Sequence, residues 1–495
     1  MIFADWVLQG VFMKKKNFLP VILFIAASVL FSACKQSISD AEIFTVFLVS
    51  DREINSEQFS GFGEYKAGEK VKIHMNWIEK GDFFVGYYDE VGNLLSENKD
   101  VSFFMPHHDF KIQVLFYKEG DKPLKAGNYV YFGMYPQENC AAISQNLLDK
   151  YIPKLDKYTV NHSVMNQYVF YETGQQLEGK YFYYDFIMDE EYLYKKFRFV
   201  YYSKDGPAPY RMSDCTYTYS SSGASSGLDS NTSSWGLISE LQSYLYENGM
   251  LSEGYYLFEP IKWKILSEKN GKLTLLAVKA LDSWQFYHSL ENRSINGKTI
   301  YPNNWEYSDI REWLNNDFYN TAFTKGCNKY IQNTLLDNVN TAYQPLLEGD
   351  DDHVIRIGSN TSTENQNNTT DKVFLPSAKD CCNTEYGFYF DNDGWDPARK
   401  FFPTEYSKIM GIRINYGNYH WDDEWNINFQ ARNKGCATYV WTRSGIEEGY
   451  SYVNLSMPKE HQGVICMDDL GDLEQTLYVT KTYVGVVPEI VVSLE

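Results

Sequence analysis

Hydrophobic and polar positions alternate in short stretches from about residue 43 onward. The first apolar run is Ile43, Phe44, Val46, Phe47, Leu48 and Val49. Further short runs follow at 67–73, 83–89, 101–106 and 110–116, with Gly92-Asn93 between the second and third. Short β-rich runs with some period-2 alternation and turn residues between them predict a small antiparallel domain over 61–118. Residues 34–60 then read as a tether with a first strand, and 117–126 as a linker. A second set of runs begins at 127–137 and resumes at 256–266, where Ile261, Trp263 and Ile265 fall on one face of a strand. Ser308 precedes Ile310, Trp313 and Leu314, whose spacing gives one apolar helical face. Ser308 is the expected cap, with Asp309 and Glu312 near the positive end of the helix. Asn315-Asn316 should weaken that helix. The polar stretches 220–235 and 358–370 read as loops. The whole predicts an α+β chain: a small antiparallel β module, then a larger mixed α+β domain over 127–495, with an insertion at about 138–255.

The N-terminal segment is of another kind. Lys14-Lys15-Lys16 leads into an apolar run over 18–31, interrupted only by Pro20 and Ser28. A membrane-crossing helix needs roughly 20 apolar residues, and this run is shorter. A basic start, a short apolar core and small residues form the secretory signal pattern. The run ends in Leu30-Phe31-Ser32-Ala33-Cys34, which resembles a lipobox with Phe31 at a position usually held by Leu, Val or Ile. The expectation is a signal peptide over 1–33, with Met13 as its start, and lipid on Cys34. An ordinary cleaved signal or an uncleaved anchor are the alternatives. The partner implied is a membrane, reached through acyl chains. Lys35 stands where an Asp would favour inner-membrane retention in enteric-type sorting, which points to the outer membrane or cell surface.

Composition then narrows the choices. The chain has 495 residues, 44% hydrophobic and 17% aromatic, with 41 Tyr, enough for more than one packed core. Tyr enrichment suits binding surfaces and equally suits a β-rich protein from a biased genome. The net charge is −20; residues 1–33 hold three Lys and one Asp, +2 in sum, so the mature chain stands at −22. That balance argues against nucleic acid, whose phosphates need a basic footprint. Without Cys34 there are seven cysteines, with no disulfide framework and no CxxC pair for zinc. Cys381-Cys382 could form a vicinal disulfide, although mostly free thiols are expected.

Two resemblances follow from these blocks. Residues 65–116 run from a Gly68-x-x-Val71 strand through Phe84-x-Gly86-Tyr87-Tyr88-Asp89 to Phe103-Phe104-Met105-Pro106. This resembles the bacterial repeat domain related to internalin B-repeats, with Tyr87 for the usual Trp, and implies a spacer or adhesive module. The blocks Phe132-Gly133-Met134-Tyr135-Pro136-Gln137, Pro260-Ile261-Lys262-Trp263, Trp305 to Asn315, Asp371 to Ser377, Val440 to Gly445 and Gly485 to Ile490 occur in order. Their succession resembles the bacterial family called domain of unknown function 6273. Gly445 departs from the usual Pro, and Val487-Pro488-Glu489 from Arg-Pro-Ala, which puts a ligand contact there in doubt. The resemblance names a domain without supplying a function. The aromatic-rich late strands also resemble C-type-lectin-like folds by analogy.

Chemistry is sparse. Gly223-Ala224-Ser225-Ser226-Gly227 fits the nucleophile-elbow pattern but sits in a low-complexity stretch instead of between a strand and a helix. Asp391, Asp393 and Asp396 could bind a cation, though the Gly comes too early for an EF-hand. Asp350-Asp351-Asp352-His353 and His420-Trp421-Asp422-Asp423-Glu424 read as solvated acidic loops, with cation binding the alternative. His107-His108 reads as surface. No HExxH, phosphate-binding loop or dinucleotide fingerprint is present, and no cofactor is expected. Trp441, Arg443 and Ser444 are the binding candidates, since Trp and Arg stack on and donate to planar or anionic ligands. The competing arrangement is a buried Trp beside an Arg that satisfies carbonyls. The expected function is that of an envelope lipoprotein of non-catalytic binding or adhesion type, with a host or neighbour surface ligand, protein or glycan, or an envelope glycan as its partner. A secreted envelope-anchored hydrolase and an assembly scaffold are the alternatives.

Overall fold

The computed structural model describes residues 42–140, strands between 160 and 203, and residues 253–339, 366–389, 396–410, 412, 437–446, 461–468, 471, 473, 475–481 and 484–494. Cys34, Gly223 to Gly227, Asp350 to His353, His420 to Glu424, Asp391 and Asp393 lie outside the described residues.

The small module is a sandwich. Lys70–Met75 shows why: Val71, Ile73 and Met75 are buried while Lys70, Lys72 and His74 are exposed, so alternate positions face one core. That strand lies between Phe59–Ser60 and Asp100–Phe104 in a three-stranded sheet. The opposing sheet has five strands in the order Gly63–Lys66, Ile43–Val49, Phe110–Lys118, Asp82–Tyr88 and Leu94–Ser96. Val46, Val71, Ile73, Tyr87, Val114 and Phe116 fill the space between the sheets. Within 61–118 the pairings are antiparallel, as expected, and the strand at 43–49, assigned to the tether, joins the same sheet. Ile43–Val49 runs parallel to Phe110–Lys118, with Val46 opposite Phe110 and Val49 opposite Gln113.

The expected linker 117–126 is also structured. Leu124–Ala126 pairs antiparallel with Tyr129–Asn139. Tyr117 and Ala126 share an apolar cluster with Val85, Tyr88, Tyr131, Met134 and Phe258. The Gly133 N–H donates to the Tyr117 hydroxyl at 2.8 Å, and Lys325 Nζ meets Glu119 at 2.7 Å. The module is therefore packed onto the larger domain.

That domain is built on a nine-stranded sheet around Glu253–Lys269. This strand pairs with Tyr129–Asn139, Leu193–Ser203 and Lys272–Ala277. Glu489–Ser493 and then Val373–Phe374 continue the sheet beyond Lys272–Ala277. Ile261 and Trp263 are wholly buried, as their alternation predicts, and the Trp263 indole donates to Phe132 O at 2.8 Å. A second sheet orders Asp282–Ser283, Gly485–Val486, Val440–Ile446, Gly463–Met467 and Gln475–Tyr478.

The mixed α+β expectation, and the lectin-like likeness attached to it, give way here. The protein is strand-rich, with 48% strand, 13% helix and one helical stretch of 14 residues. Other helices, such as Ala378–Cys381 and Glu405–Ile409, are single turns. Strands such as Gly463–Met467 are buried at every position, so their sequences lack the alternation that marks a half-exposed strand.

The one long helical stretch starts where its cap predicts. Ser308 Oγ accepts from the Arg311 N–H, and the helix Asp309–Trp313 buries Ile310 and Trp313. Asn315 does not end it. The backbone widens into a π segment, Leu314–Phe318, and continues as Tyr319–Ala322. The Asn315 amide explains the widening. It donates to Arg311 O and Val373 O and accepts from the Lys372 and Val373 N–H groups, which ties helix to sheet.

Candidate functional site

The three binding candidates lie on Val440–Ile446, every residue of which is buried. Trp441 is enclosed: its indole donates to Trp284 O at 2.8 Å, and its ring meets Phe286 edge-on at 5.9 Å. The Ser444 hydroxyl accepts from the Ala378 N–H at 2.9 Å. Both side chains therefore face the interior. Gly445, which departs from the family pattern, has a steric reason. A Cβ there would stand 2.8 Å from the Asn303 side chain, which donates to Ile446 O and Gly463 O.

Arg443 is different. Its Nη1 donates to Leu375 O at 2.7 Å and reaches Asp380 Oδ2 at 3.1 Å. Asp380 is held by local structure. It is the third residue of the turn capped by Ser377, in a reciprocal capping box, and its Oδ2 accepts from both the N–H and the hydroxyl of Ser377. About a quarter of the Asp380 side chain is exposed, whereas that of Arg443 is nearly covered.

Behind this pair stands Glu489. Across the sheet Lys264, Leu276, Glu489 and Phe374 are opposed in register, so their side chains share one face. The turn Thr384–Tyr386 packs over that face, with Lys264 Nζ 4.5 Å from the Phe388 ring. Glu489 is thus an acid on an inward position, 4% exposed. Burial, reinforced by Asp380 and opposed by Arg443, pushes its pKa up to about 8. Burial, with Asp380 and Glu489, likewise pushes Tyr386 up to about 12. The Nε of Arg443 and the Oε2 of Glu489 are both buried without a hydrogen-bond partner. This is a polar site of one guanidinium, one carboxyl held neutral at pH 7 and one carboxylate near solvent.

The buried Trp441 and the Arg443 contact to Leu375 O match the competing arrangement of a buried Trp beside an Arg that satisfies a carbonyl, and sequence reasoning named neither Asp380 nor Glu489 as partners of Arg443. The capping box Ser377-x-x-Asp380 was a readable signal. Glu489 was visible only as the residue in place of an Ala. Asp396, the described member of the cation candidates, turns inward instead. Its carboxylate accepts from the Ala398 and Tyr389 N–H groups and lies 3.6 Å from Arg399 Nε, with both side chains fully buried. Among the described residues no three His, Cys, Asp or Glu side chains converge as a metal site requires. Cys381 and Cys382 are buried free thiols. No helix among the described residues is long and apolar enough to cross a membrane.

Residues 270–457 match the family described as Domain of unknown function (DUF6273). The match includes Asp380, Trp441, Arg443 and Ser444 and ends before Glu489. The resemblance of the C-terminal domain holds over that range. No curated protein and no solved structure matches the chain.

Proposed function

We propose that the chain is an envelope lipoprotein, acylated on Cys34, whose large domain recognises a protein or glycan ligand without covalent chemistry. The observation that supports this reading is the pair of buried groups without partners, Arg443 Nε and Glu489 Oε2, set behind Asp380. Leaving a buried polar group unpaired costs about 1–3 kcal/mol, which a bound hydroxyl or amide recovers. A hydroxyl both donates and accepts, so it suits a guanidinium N–H as well as a carboxyl oxygen, and glycans present many. The binding candidates then reduce to Arg443, since Trp441 and Ser444 point inward.

The test has two arms. Clickable palmitate on wild type and Cys34→Ala, followed by protease shaving of intact cells, reads the anchor and the exposure. Glycan and surface-protein arrays, probed with wild type, Arg443→Gln and Glu489→Gln, read the site. Label that depends on Cys34 and array binding lost in both variants support the proposal. Binding that persists in both variants places the ligand elsewhere.

A second reading is an envelope-anchored hydrolase. It is favoured by one observation, a carboxyl raised to about 8 beside a second carboxylate, the pairing that acid-base hydrolysis uses. Turnover of purified cell-wall glycan by wild type and its loss in Glu489→Gln would replace the binding reading with this one.

A further inference from the structure

We infer that the turn at 118–121 latches the small module to the large domain in one fixed orientation, with Glu119 as the residue that closes the latch. Phe110–Lys118 is the last strand of the module, and Leu124–Ala126 already pairs with a strand of the large domain. Residues 119–123 are therefore the covalent link between the two. Parts joined by one short link swing about it unless contacts hold them. The swing is absorbed by the φ and ψ angles of the link itself. Here both sides of the link are tied.

Glu119 is tied to the large domain. Its side chain is 9% exposed, accepts from the Thr324 hydroxyl, and meets Lys325 Nζ at 2.7 Å and Lys196 Nζ at 3.9 Å. Lys196 Nζ also lies 4.2 Å from the ring of Phe258, a member of the apolar cluster along the seam. Burial acts to raise the Glu119 carboxyl, but hydrogen bonds from Lys325 and Thr324 and the charges of Lys196 and Lys325 outweigh it and hold the group below its ordinary value. Glu119 is thus a carboxylate inside the seam. Asp121 is tied to the module. It accepts from the Lys118 N–H at 2.7 Å and pairs with Arg52, whose Nη1 meets Asp82 at 2.8 Å.

Gly120 stands between the two acids at φ +95°, where a Cβ would come within 3.0 Å of Lys325 Cβ and 3.2 Å of Lys325 O. Lys325 has φ +52°, in the left-handed region that residues with a side chain seldom adopt. Such a residue persists where its surroundings hold it there, and here these are Glu119 and the close backbone of Gly120. The turn at 118–121 and the turn at 324–327, closed by Asp121 N–H to Lys118 O and Cys327 N–H to Thr324 O, thus interlock. Neutralising Glu119 would leave the charges of Lys196 and Lys325 facing each other in the closed seam, a repulsion that opening relieves. A module held in this way is a fixed arm and not a swinging spacer. Its surface stands at one distance from Arg443.

The test is a distance measurement by pulsed electron spin resonance on the full chain. Spin labels are attached through azide-bearing amino acids placed at Phe104 on the module and Leu335 on the large domain, 70% and 72% exposed. Wild type, Glu119→Gln and Gly120→Val are compared, with Asp100→Asn as control, since its exposed pair with His74 lies within the module. Circular dichroism verifies that each is folded. A single narrow distance in wild type and the control, broadened severalfold in Glu119→Gln and Gly120→Val, is the expected result. A broad distribution in wild type overturns the latch, whatever the variants do. A distribution that stays narrow in both variants overturns the role of Glu119 and of the interlocked turns. Glu119→Asp, which keeps the charge and shortens the reach, takes the place of a variant that does not fold.

Discussion

Replacing Glu489 with Gln tests the buried acid directly through pH. The perturbation keeps shape and removes the ionisable proton. In the native protein the carboxyl binds its proton more tightly than in the unfolded chain, whose value is near 4.5. The native state therefore holds more protons between those two values, and stability must fall as pH rises through the interval. Below about pH 4.5 the contribution is fully present. From 4.5 to about 8 is roughly 3.5 pH units, which at about 1.4 kcal/mol each makes a loss of about 5 kcal/mol by pH 8. Asp282 and Glu259, raised to about 6 and about 7 by burial, add slopes of the same sign in both proteins. The difference between wild type and Glu489→Gln isolates position 489. Urea unfolding followed by tryptophan fluorescence, at about pH 5 and about pH 8, gives that difference. The variant should overtake wild type as pH rises, by several kcal/mol. Parallel pH curves for the two proteins would refute a buried neutral acid at this position.

Two further substitutions probe the framework around the site. Asp371→Ala removes the acceptor for Arg311 Nε at 2.8 Å and for the Trp305 indole at 3.0 Å. Losing this buried acceptor strands the Trp305 indole and the partly exposed Arg311, which should cost about 1–3 kcal/mol, read by the same denaturation, and an unchanged stability contradicts an acceptor role for Asp371. Asn315→Ala strands the Val373 N–H and C=O and frees the π segment. A loss of about 2–3 kcal/mol is expected, with amide exchange rising first over 314–318.

Local signals carried the reading where one element decides the outcome. The Ser308 cap, the buried face of Trp263 and the strand at 43–49 could be read because each needs only its neighbours. Asn315 was misjudged because its low helix propensity is overridden by contacts to Val373, 58 residues away. The strand-rich character was hidden because buried strands show no alternation, leaving the one amphipathic helix as the clearest pattern. Arg443 was picked for its chemistry. Glu489 could not be, because an acid becomes a site only when the turn at 384–386 packs over its strand. The seam between module and domain was read as a linker because three Lys, a Gly and a Pro fall there, although Tyr117 and Ala126 are buried.

The single parallel pairing of the small module has a mechanical meaning. The chain enters through Ile43 and leaves through Lys118, and these strands run side by side in the same direction. Entry and exit therefore lie at opposite ends of the pair. A pull between them loads the hydrogen bonds between Val46–Val49 and Phe110–Gln113 in shear, all at once, whereas a hairpin pulled at its open end parts one bond at a time. Forced unfolding is governed by the unfolding rate and not by equilibrium stability. The module thus lies as a clamp along the line from its first strand to the large domain, with its bonds loaded in shear.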